Sequence, residues 1–201
     1  MWSSPITPRR SGSTDPLSGQ IDVAAFLVVS GSPPQEAEGA PMRIKIYTTG
    51  GTIDKVYAGE TGLVVGPPRI DSILWEGRAA VDYDVEALLR KDSLDITAED
   101  RRKIVEAVCA TSHRLIVITH GTDTILETAR ALLPVSSKVM VLTGAMQPAA
   151  FRETDAAFNV GGAIAAVQVL PEGVHLVMNG RVLDPRTCRK DRARGCFVEA
   201  T

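Results

Sequence analysis

Two short apolar runs, residues 115–119 and 139–142, set the strongest constraint on the fold of this 201-residue chain. Each run is apolar throughout rather than alternating, which is typical of a strand covered on both faces. Between them, residues 125–133 place apolar side chains at helical spacing. A buried strand, a helix and a second buried strand in this order predict a βαβ unit with parallel strands.

The same alternation of strands and helices continues over most of the chain. Thr97 opens one helical segment with a Thr-x-x-Asp form of the capping box. We therefore expect an α/β fold, with a mostly parallel sheet flanked by helices and active-site loops at the carboxyl ends of the strands. The further predicted strands lie at 43–48, 83–89 and 174–178, and the further helices at 97–109 and 154–169.

The first 41 residues differ in composition from the rest. Six of the 12 prolines of the chain fall there, among many serines and glycines. Such a segment buries too little apolar surface to offset its ordering entropy, so we expect a disordered N-terminal extension over 1–41 and one domain over 42–201. Two alternatives stay open: residues 23–29 as a weak secretory signal, and Met42 as the true start, since a strand pattern begins there.

The overall composition excludes several classes of protein. Hydrophobic residues make up 44% and charged residues 23%, which is typical of a globular chain, and the net charge is -2. No apolar run approaches the ~18 residues of a membrane span, and no basic field could hold a phosphate backbone. We expect neither a membrane nor a nucleic acid as partner.

Cysteine and histidine usage adds a prediction about compartment and metals. The three cysteines form no CxxC pair, so we expect reduced thiols in a cytoplasmic protein. No cluster of His, Cys and carboxylates stands out, so we expect no metal and no cofactor. His120 is interpreted as a structural hydrogen-bond partner, and Trp75 as a packing residue.

Three loops that follow predicted strands combine threonine with glycine. Glycine lets backbone N–H groups approach a ligand closely. Any one loop is also explained as a tight turn or a helix cap, but three at the same edge of a sheet favour a ligand site. The loops are 48–53 (TTGGTI), 119–124 (THGTDT) and 143–146 (TGAM).

Two kinds of chemistry use such loops. Phosphate binding is disfavoured, because neither GxxxxGK[ST] nor a GxGxxG after a strand is present. The other is nucleophilic acyl transfer, in which a threonine hydroxyl attacks a carbonyl and backbone N–H groups hold the oxyanion. The nucleophile needs a base, and in the basic run 186–194 only Lys190 can become neutral.

The three loops together resemble the bacterial-type L-asparaginase family. The matching stretches are TGGTI at 49–53, HGTDT at 120–124 and TGAMxP at 143–148. The likeness runs from Met42 to about Val198 and corresponds to the larger N-terminal domain, so the chain resembles the short single-domain members. The resemblance implies hydrolysis of L-asparagine to L-aspartate and ammonia through an acyl-enzyme, with water as co-substrate. The apolar helix faces further predict a homo-oligomer, most simply a dimer.

The resemblance also implies catalytic roles. Thr52 matches the threonine nucleophile, and Thr122 with Asp123 matches the second threonine and the aspartate of the family. Lys190, in the sequence LDPRTCRK at 183–190, matches the catalytic lysine. Tyr57 is the tyrosine available on the loop after the nucleophile, although many longer members place theirs at the position of Leu63.

Substrate contacts are implied in the same way. Ser93 matches a residue that binds the substrate α-carboxylate, Asp123 one that holds the α-amino group, and Ala145 a backbone contact near the amide. Leu94 stands where longer members often have a glutamine. An alternative function is a non-catalytic amino-acid or amide-binding domain, or an amidotransferase component with the same fold. The presence of Thr52, Thr122, Asp123 and Lys190 together favours the enzyme.

Overall fold

The computed structural model describes residues 43–200. The predictions for residues 1–41, namely the disordered extension, the weak signal and the start at Met42, lie outside this part of the chain. Within it, no helix is both long enough and apolar enough to cross a membrane.

A six-stranded sheet forms the centre of the domain, in the order β4-β1-β5-β6-β7-β8. The first five strands in that order are parallel, and β8 pairs antiparallel with β7 at one edge. The predicted α/β class with a mostly parallel sheet is therefore confirmed. The strands are β1 (Arg43–Gly50), β4 (Asp82–Lys91), β5 (Leu115–Thr119), β6 (Val139–Thr143), β7 (Gly173–Met178) and β8 (Arg181–Leu183).

Within residues 43–200, four helices cover the two faces of this sheet. On one face, α2 and α3 bury residues such as Ile104 and Ile125 in one apolar cluster. On the other face, α1 and α4 bury Ile70 and Val160 in a second cluster. Every residue of β5 and β6 is buried between these layers, which explains their uninterrupted apolar sequence. The helices are α1 (Ile70–Glu76), α2 (Ala98–Ala110), α3 (Ile125–Leu132) and α4 (Ala156–Val167).

The predicted capping box of α2 is confirmed. Thr97 Oγ1 accepts a hydrogen bond from the Asp100 backbone N–H (3.2 Å), and Asp100 Oδ2 accepts one from the Thr97 backbone N–H (2.9 Å). Lys91 Nζ, from the end of β4, also donates to Asp100 Oδ2 (2.7 Å). The helix start is thereby joined to the carboxyl end of a strand, next to the loop that carries Ser93.

The structure contains elements that the sequence patterns did not predict. Among them are helix α1, the edge strand β8 and two hairpins. The expectation that Trp75 packs in the interior is wrong, because its side chain is 80% exposed. Helix α1 buries Ile70, Ile73 and Leu74, and Trp75 falls on the opposite side of this short helix. The hairpins are β2 (Lys55–Tyr57) with β3 (Leu63–Val65), and β9 (Cys188–Asp191) with β10 (Cys196–Glu199).

Asp54 lies buried at the start of the first hairpin, two residues after Thr52. Its Oδ1 accepts a hydrogen bond from the Arg69 backbone N–H (2.8 Å), while Oδ2 has no partner among the described residues. Burial is the main cause that raises the pKa of this carboxyl group from 3.8 to about 6. The folded protein therefore holds this proton over a pH range in which the unfolded chain has already lost it.

We expect the free energy of unfolding to contain a component from Asp54 that falls as pH rises from about 4 to about 6. The pKa difference limits this component to about 3 kcal/mol. Asp54→Asn should remove it, so the wild-type and variant stabilities should diverge across this range in urea unfolding at a series of pH values. Asp71→Asn, at an exposed position of α1, is the matched control. Parallel curves for wild type and Asp54→Asn would contradict the assignment.

Candidate active site

The three threonine–glycine loops meet at the carboxyl edge of the central strands β1, β5 and β6. Thr49 Oγ1 donates to the Thr119 carbonyl oxygen (3.0 Å), and the His120 backbone N–H donates to the Thr143 carbonyl oxygen (2.9 Å). The backbone N–H of Ala149, in the segment that continues the third loop, donates to the Ile53 carbonyl oxygen (3.1 Å). These bonds join all three loops, as the parallel topology predicts.

Glycine is required where the second loop touches the first and the third. Gly51 has a φ of 86°, in the region that disfavours side chains. A Cβ at Gly51 would lie 2.3 Å from Gly121 Cα, and one at Gly144 would lie 2.3 Å from the His120 carbonyl oxygen. Both are closer than real Cβ contacts, so side chains at these positions would push the loops apart.

Thr122, Asp123 and Lys190 form a hydrogen-bonded cluster. Lys190 Nζ donates to Thr122 Oγ1 (2.7 Å) and to Asp123 Oδ1 (3.0 Å), although 67 or more residues separate them in the chain. Thr122 is buried, and the other two side chains are mostly covered. If the amine loses a proton, its lone pair can face the Thr122 hydroxyl, so this cluster can take up and relay a proton.

The hairpin β9–β10 places Lys190. Lys190 pairs with Phe197 across the two strands, and cross-strand partners project from the same face. Phe197 is fully buried in the same apolar cluster as Leu183 and Cys188. The hairpin is therefore anchored in the core by an aromatic side chain, and this anchor sets the position of the lysine.

Thr52 begins a short 3-10 turn (Thr52–Asp54) directly after Gly51 and is partly exposed. Within residues 43–200 its hydroxyl makes no hydrogen bond, either to Lys190 or to another group. Gly51, the residue before it, lies against Gly121 of the second loop. Its role as nucleophile stays a prediction.

Ser93 lies against the second loop. Its side chain is buried, and its Oγ would be 2.7 Å from a Cβ at Gly121. Thr124 Oγ1 donates to the Ser93 carbonyl oxygen (2.7 Å), which ties the two loops together. Asp92, just before it, pairs with Lys55 (2.6 Å), and hydrogen bonding to this lysine lowers the pKa of the Asp92 carboxyl group.

The remaining predicted site residues, Ala145 and Tyr57, differ in their exposure. Ala145 is fully buried in the third loop. Tyr57 lies on the hairpin β2–β3 with its side chain 75% exposed, and it makes no hydrogen bond to Thr52 or Lys190. Leu63, the other position considered for the loop tyrosine, is its cross-strand partner. Both positions are thus side by side on one hairpin.

His120 is buried, and its ring makes structural hydrogen bonds within the second loop and to the following helix. Its Nδ1 donates to the Gly121 carbonyl oxygen (2.8 Å), which leaves Nε2 to accept from Thr128 Oγ1 (2.8 Å). Burial lowers the pKa of His120 from 6.5 to about 4, so the ring is neutral at pH 7. In residues 43–200, no group of three or more His, Cys, Asp and Glu side chains is arranged to hold a metal ion.

Asn159, on helix α4, joins two parts of the site and was missed by sequence reasoning. Its Nδ2 donates to the Gly144 carbonyl oxygen (3.0 Å), and its Oδ1 accepts from the backbone N–H groups of Asn179 (2.9 Å) and Phe197 (3.2 Å). The third loop and the hairpin that carries Lys190 are therefore linked through one buried amide. The available signal was a lone asparagine in an otherwise apolar helix.

We expect Asn159→Ala to destabilise the fold by about 3 kcal/mol, because buried backbone groups at Gly144, Asn179 and Phe197 lose their partners. The hairpin with Lys190 should loosen, so any turnover should fall as well. Thermal unfolding and amide exchange of β10 measure both effects. Gln168→Ala, an amide at the exposed end of the same helix, is the control and should change stability by less than about 0.5 kcal/mol. Equal effects of the two variants would refute the linking role.

The fold and the site define a parallel α/β domain in which three threonine–glycine loops and one hairpin lysine converge. A family model described as "Asparaginase, N-terminal" matches residues 43–197. The chain belongs to the asparaginase family and corresponds to its N-terminal domain.

Relatives and solved structures agree with this family. The chain is 34% identical over 154 residues to a subunit of the glutamyl-tRNA(Gln) amidotransferase from Methanococcus vannielii, covering 70% of this chain and 35% of the relative. It is 32% identical to a probable periplasmic L-asparaginase from Haemophilus influenzae, covering 73% and 46%. The thermostable L-asparaginase from Thermococcus kodakarensis superposes with a TM-score of 0.69 at 27% identity, covering 79% and 51%. The chain therefore spans about half or less of the length of these relatives.

Proposed function

We propose that this chain hydrolyses the carboxamide of a small amide substrate, with L-asparagine as the first candidate. The observation that carries the proposal is the pair of hydrogen bonds from Lys190 Nζ to Thr122 Oγ1 and Asp123 Oδ1. A lysine amine held against a threonine hydroxyl is an arrangement that can remove a proton from a hydroxyl nucleophile. Family membership and the L-asparaginase relatives support the same chemistry.

The proposed reaction has two steps. Thr52 Oγ attacks the amide carbon, its proton passes to Lys190 by way of Thr122, and backbone N–H groups of the loops hold the oxyanion. The C–N bond then breaks as the leaving nitrogen takes up this proton from Lys190 and departs as ammonia, and an acyl ester on Thr52 remains. Water attacks this ester, the acid product is released, and the free hydroxyl of Thr52 is restored. Asp123 holds the lysine in place throughout.

Substrate-binding roles are proposed for the surrounding loops. Ser93 would bind the carboxylate of the substrate, and the backbone at Ala145 would contact the amide. Tyr57 would reach the nucleophile only if the hairpin β2–β3 folds over the site, since its side chain is exposed in this conformation. A homo-oligomer and a cytoplasmic location stay predictions, and relatives carry both cytoplasmic and periplasmic names.

A second candidate function is a component of an amidotransferase, or an amide-binding domain without turnover. The observation that favours it is the similarity to glutamyl-tRNA(Gln) amidotransferase subunits from several Methanococcus strains. As an amidotransferase component the chain would release ammonia only within a larger assembly, and as an amide-binding domain it would release none.

Ammonia release from L-asparagine and L-glutamine by the purified chain tests the proposal. Release at a rate above that of a Lys190→Met variant prepared in parallel supports amide hydrolysis. Binding of L-asparagine by calorimetry without any ammonia release would contradict it and would favour the second candidate.

A further inference from the structure

Asp155, the residue before helix α4, holds the third loop by its side chain. Its carboxylate accepts hydrogen bonds from the backbone N–H groups of Met146 (3.0 Å) and Gln147 (3.0 Å). Its Oδ2 also accepts a hydrogen bond from Nδ2 of Asn159 (2.8 Å), one turn further along the helix. One carboxylate therefore binds three N–H donors, two of which belong to the third loop.

These contacts fix the two peptide units that flank Ala145. Asn159 Nδ2 binds the Gly144 carbonyl oxygen (3.0 Å), and Asp155 binds the N–H of Met146. The C=O and the N–H of a trans peptide point in opposite directions, and residues 43–200 contain no cis peptide bond. The N–H and the C=O of Ala145 therefore both point away from these two side chains.

Another side of the third loop lies against the second loop. A Cβ at Gly144 would be 2.3 Å from the His120 carbonyl oxygen and 3.5 Å from Thr122 Cγ2. Thr122 is the threonine whose hydroxyl accepts the hydrogen bond from Lys190. The third loop is therefore held between the start of helix α4 and the loop that carries the proposed proton relay.

A carboxylate is required at position 155, because every group that binds it is a donor. Both oxygens of Asp155 accept, whereas the side-chain amide in Asp155→Asn would turn its NH₂ group toward one of these donors. Asn159 cannot compensate by rotating its own amide, because its Oδ1 accepts from the backbone N–H groups of Asn179 and Phe197. Asp155→Asn therefore keeps the shape of the side chain and loses part of its hold on the loop.

We propose that Asp155 is a positioning residue for the amide group of the substrate. By fixing the peptide between Ala145 and Met146, it sets the Ala145 carbonyl oxygen to accept a hydrogen bond from the N–H of the carboxamide. The hydrogen bond from Met146 N–H to a carboxylate also polarises this peptide and makes its oxygen a stronger acceptor. The proposal rests on amide hydrolysis as the proposed function and concerns recognition of the leaving group. Asp155 itself takes no part in bond breaking.

The test compares an amide and an ester that carry the same acyl group. L-Asparagine and the β-methyl ester of L-aspartate would both acylate Thr52, but only the amide has an N–H on its leaving group. Asp155→Asn should lower kcat/KM for L-asparagine about tenfold, as expected for one lost hydrogen bond, and kcat/KM for the ester less than about twofold. Partial unfolding of the variant would lower both values equally, so their ratio reports on positioning alone.

A control variant and a binding measurement complete the experiment. Glu153→Gln removes one negative charge at an exposed position two residues earlier, and it should leave both kcat/KM values unchanged. Calorimetry in the Thr52→Ala background measures binding without turnover. There, Asp155→Asn should weaken binding of L-asparagine about tenfold and leave that of L-aspartate unchanged, because L-aspartate has no N–H at this position.

The outcomes separate the two proposals. Equal losses with the amide and the ester in Asp155→Asn, or no loss with either, would overturn the role of Asp155 while leaving amide hydrolysis untouched. Selective weakening of L-asparagine binding in Asp155→Asn, combined with no ammonia release by the wild-type chain, would support the role of Asp155 and would refute hydrolysis.

Discussion

A Thr52→Ala variant is expected to release ammonia at least about 10⁴-fold more slowly than the wild-type chain, because covalent catalysis cannot proceed without the attacking hydroxyl. The free energy of unfolding should change by less than about 1 kcal/mol, since the hydroxyl makes no hydrogen bond within residues 43–200 and the side chain is partly exposed. Steady-state ammonia release and thermal unfolding measure the two effects.

Two variants serve as controls for this result. Thr52→Ser keeps the hydroxyl and should retain measurable turnover, whereas Thr61→Ala makes the same chemical change at an exposed position of the following hairpin and should be neutral. Rapid acid quenching should trap an acyl adduct on the peptide that contains Thr52. An adduct on Thr122, or near-normal turnover in Thr52→Ala, would transfer the nucleophilic role to the threonine that Lys190 contacts.

Lys190→Met should lower the rate by about 10²- to 10⁴-fold, the range that general bases contribute. Only a neutral amine can accept a proton, and methionine has no such group, so the variant should lose the general base. Lys190→Arg should not restore activity, because the guanidinium stays protonated and cannot act as a base. Steady-state ammonia release by each protein, measured with saturating amide, tests these effects.

The loss of activity in Lys190→Met must also be distinguished from the effect of general damage to the hairpin. Lys190→Met removes two hydrogen bonds and should cost about 1–2 kcal/mol of stability, well short of unfolding the domain. Arg189→Met, at the adjacent exposed position of β9, is the matched control and should keep full activity. Near-normal turnover in Lys190→Arg would show that a positive charge suffices, and the proton would then need another acceptor.

Strands and helices with strong periodicity could be predicted from the sequence. The run at residues 115–119 became β5 with the same bounds, and Thr97 caps its helix as its motif indicates. Such elements are predictable because burial on both faces, or a local side-chain hydrogen bond, requires a recognisable sequence pattern within a few residues. Helix α1 was missed because its seven residues hold too few turns for a periodic pattern.

The candidate site likewise has one part that could be predicted from the sequence and one part that could not. The three threonine–glycine loops could be located from their sequences, because they follow strands whose carboxyl ends share one edge of the sheet. Lys190 was chosen by resemblance to a family and by the chemistry of its arginine neighbours. Its contact with Thr122 depends on the hairpin β9–β10, whose short strands carry no alternating pattern.

By itself the sequence determined the α/β class, the three loops and the residue types available for acyl transfer, since these depend on local pattern and composition. Tertiary structure alone decided which charges meet at Asp123, how Asn159 links the third loop to the lysine hairpin, and why Asp54 holds a proton. These contacts join residues far apart in the chain or depend on burial, and neither distance nor burial is recorded in local periodicity.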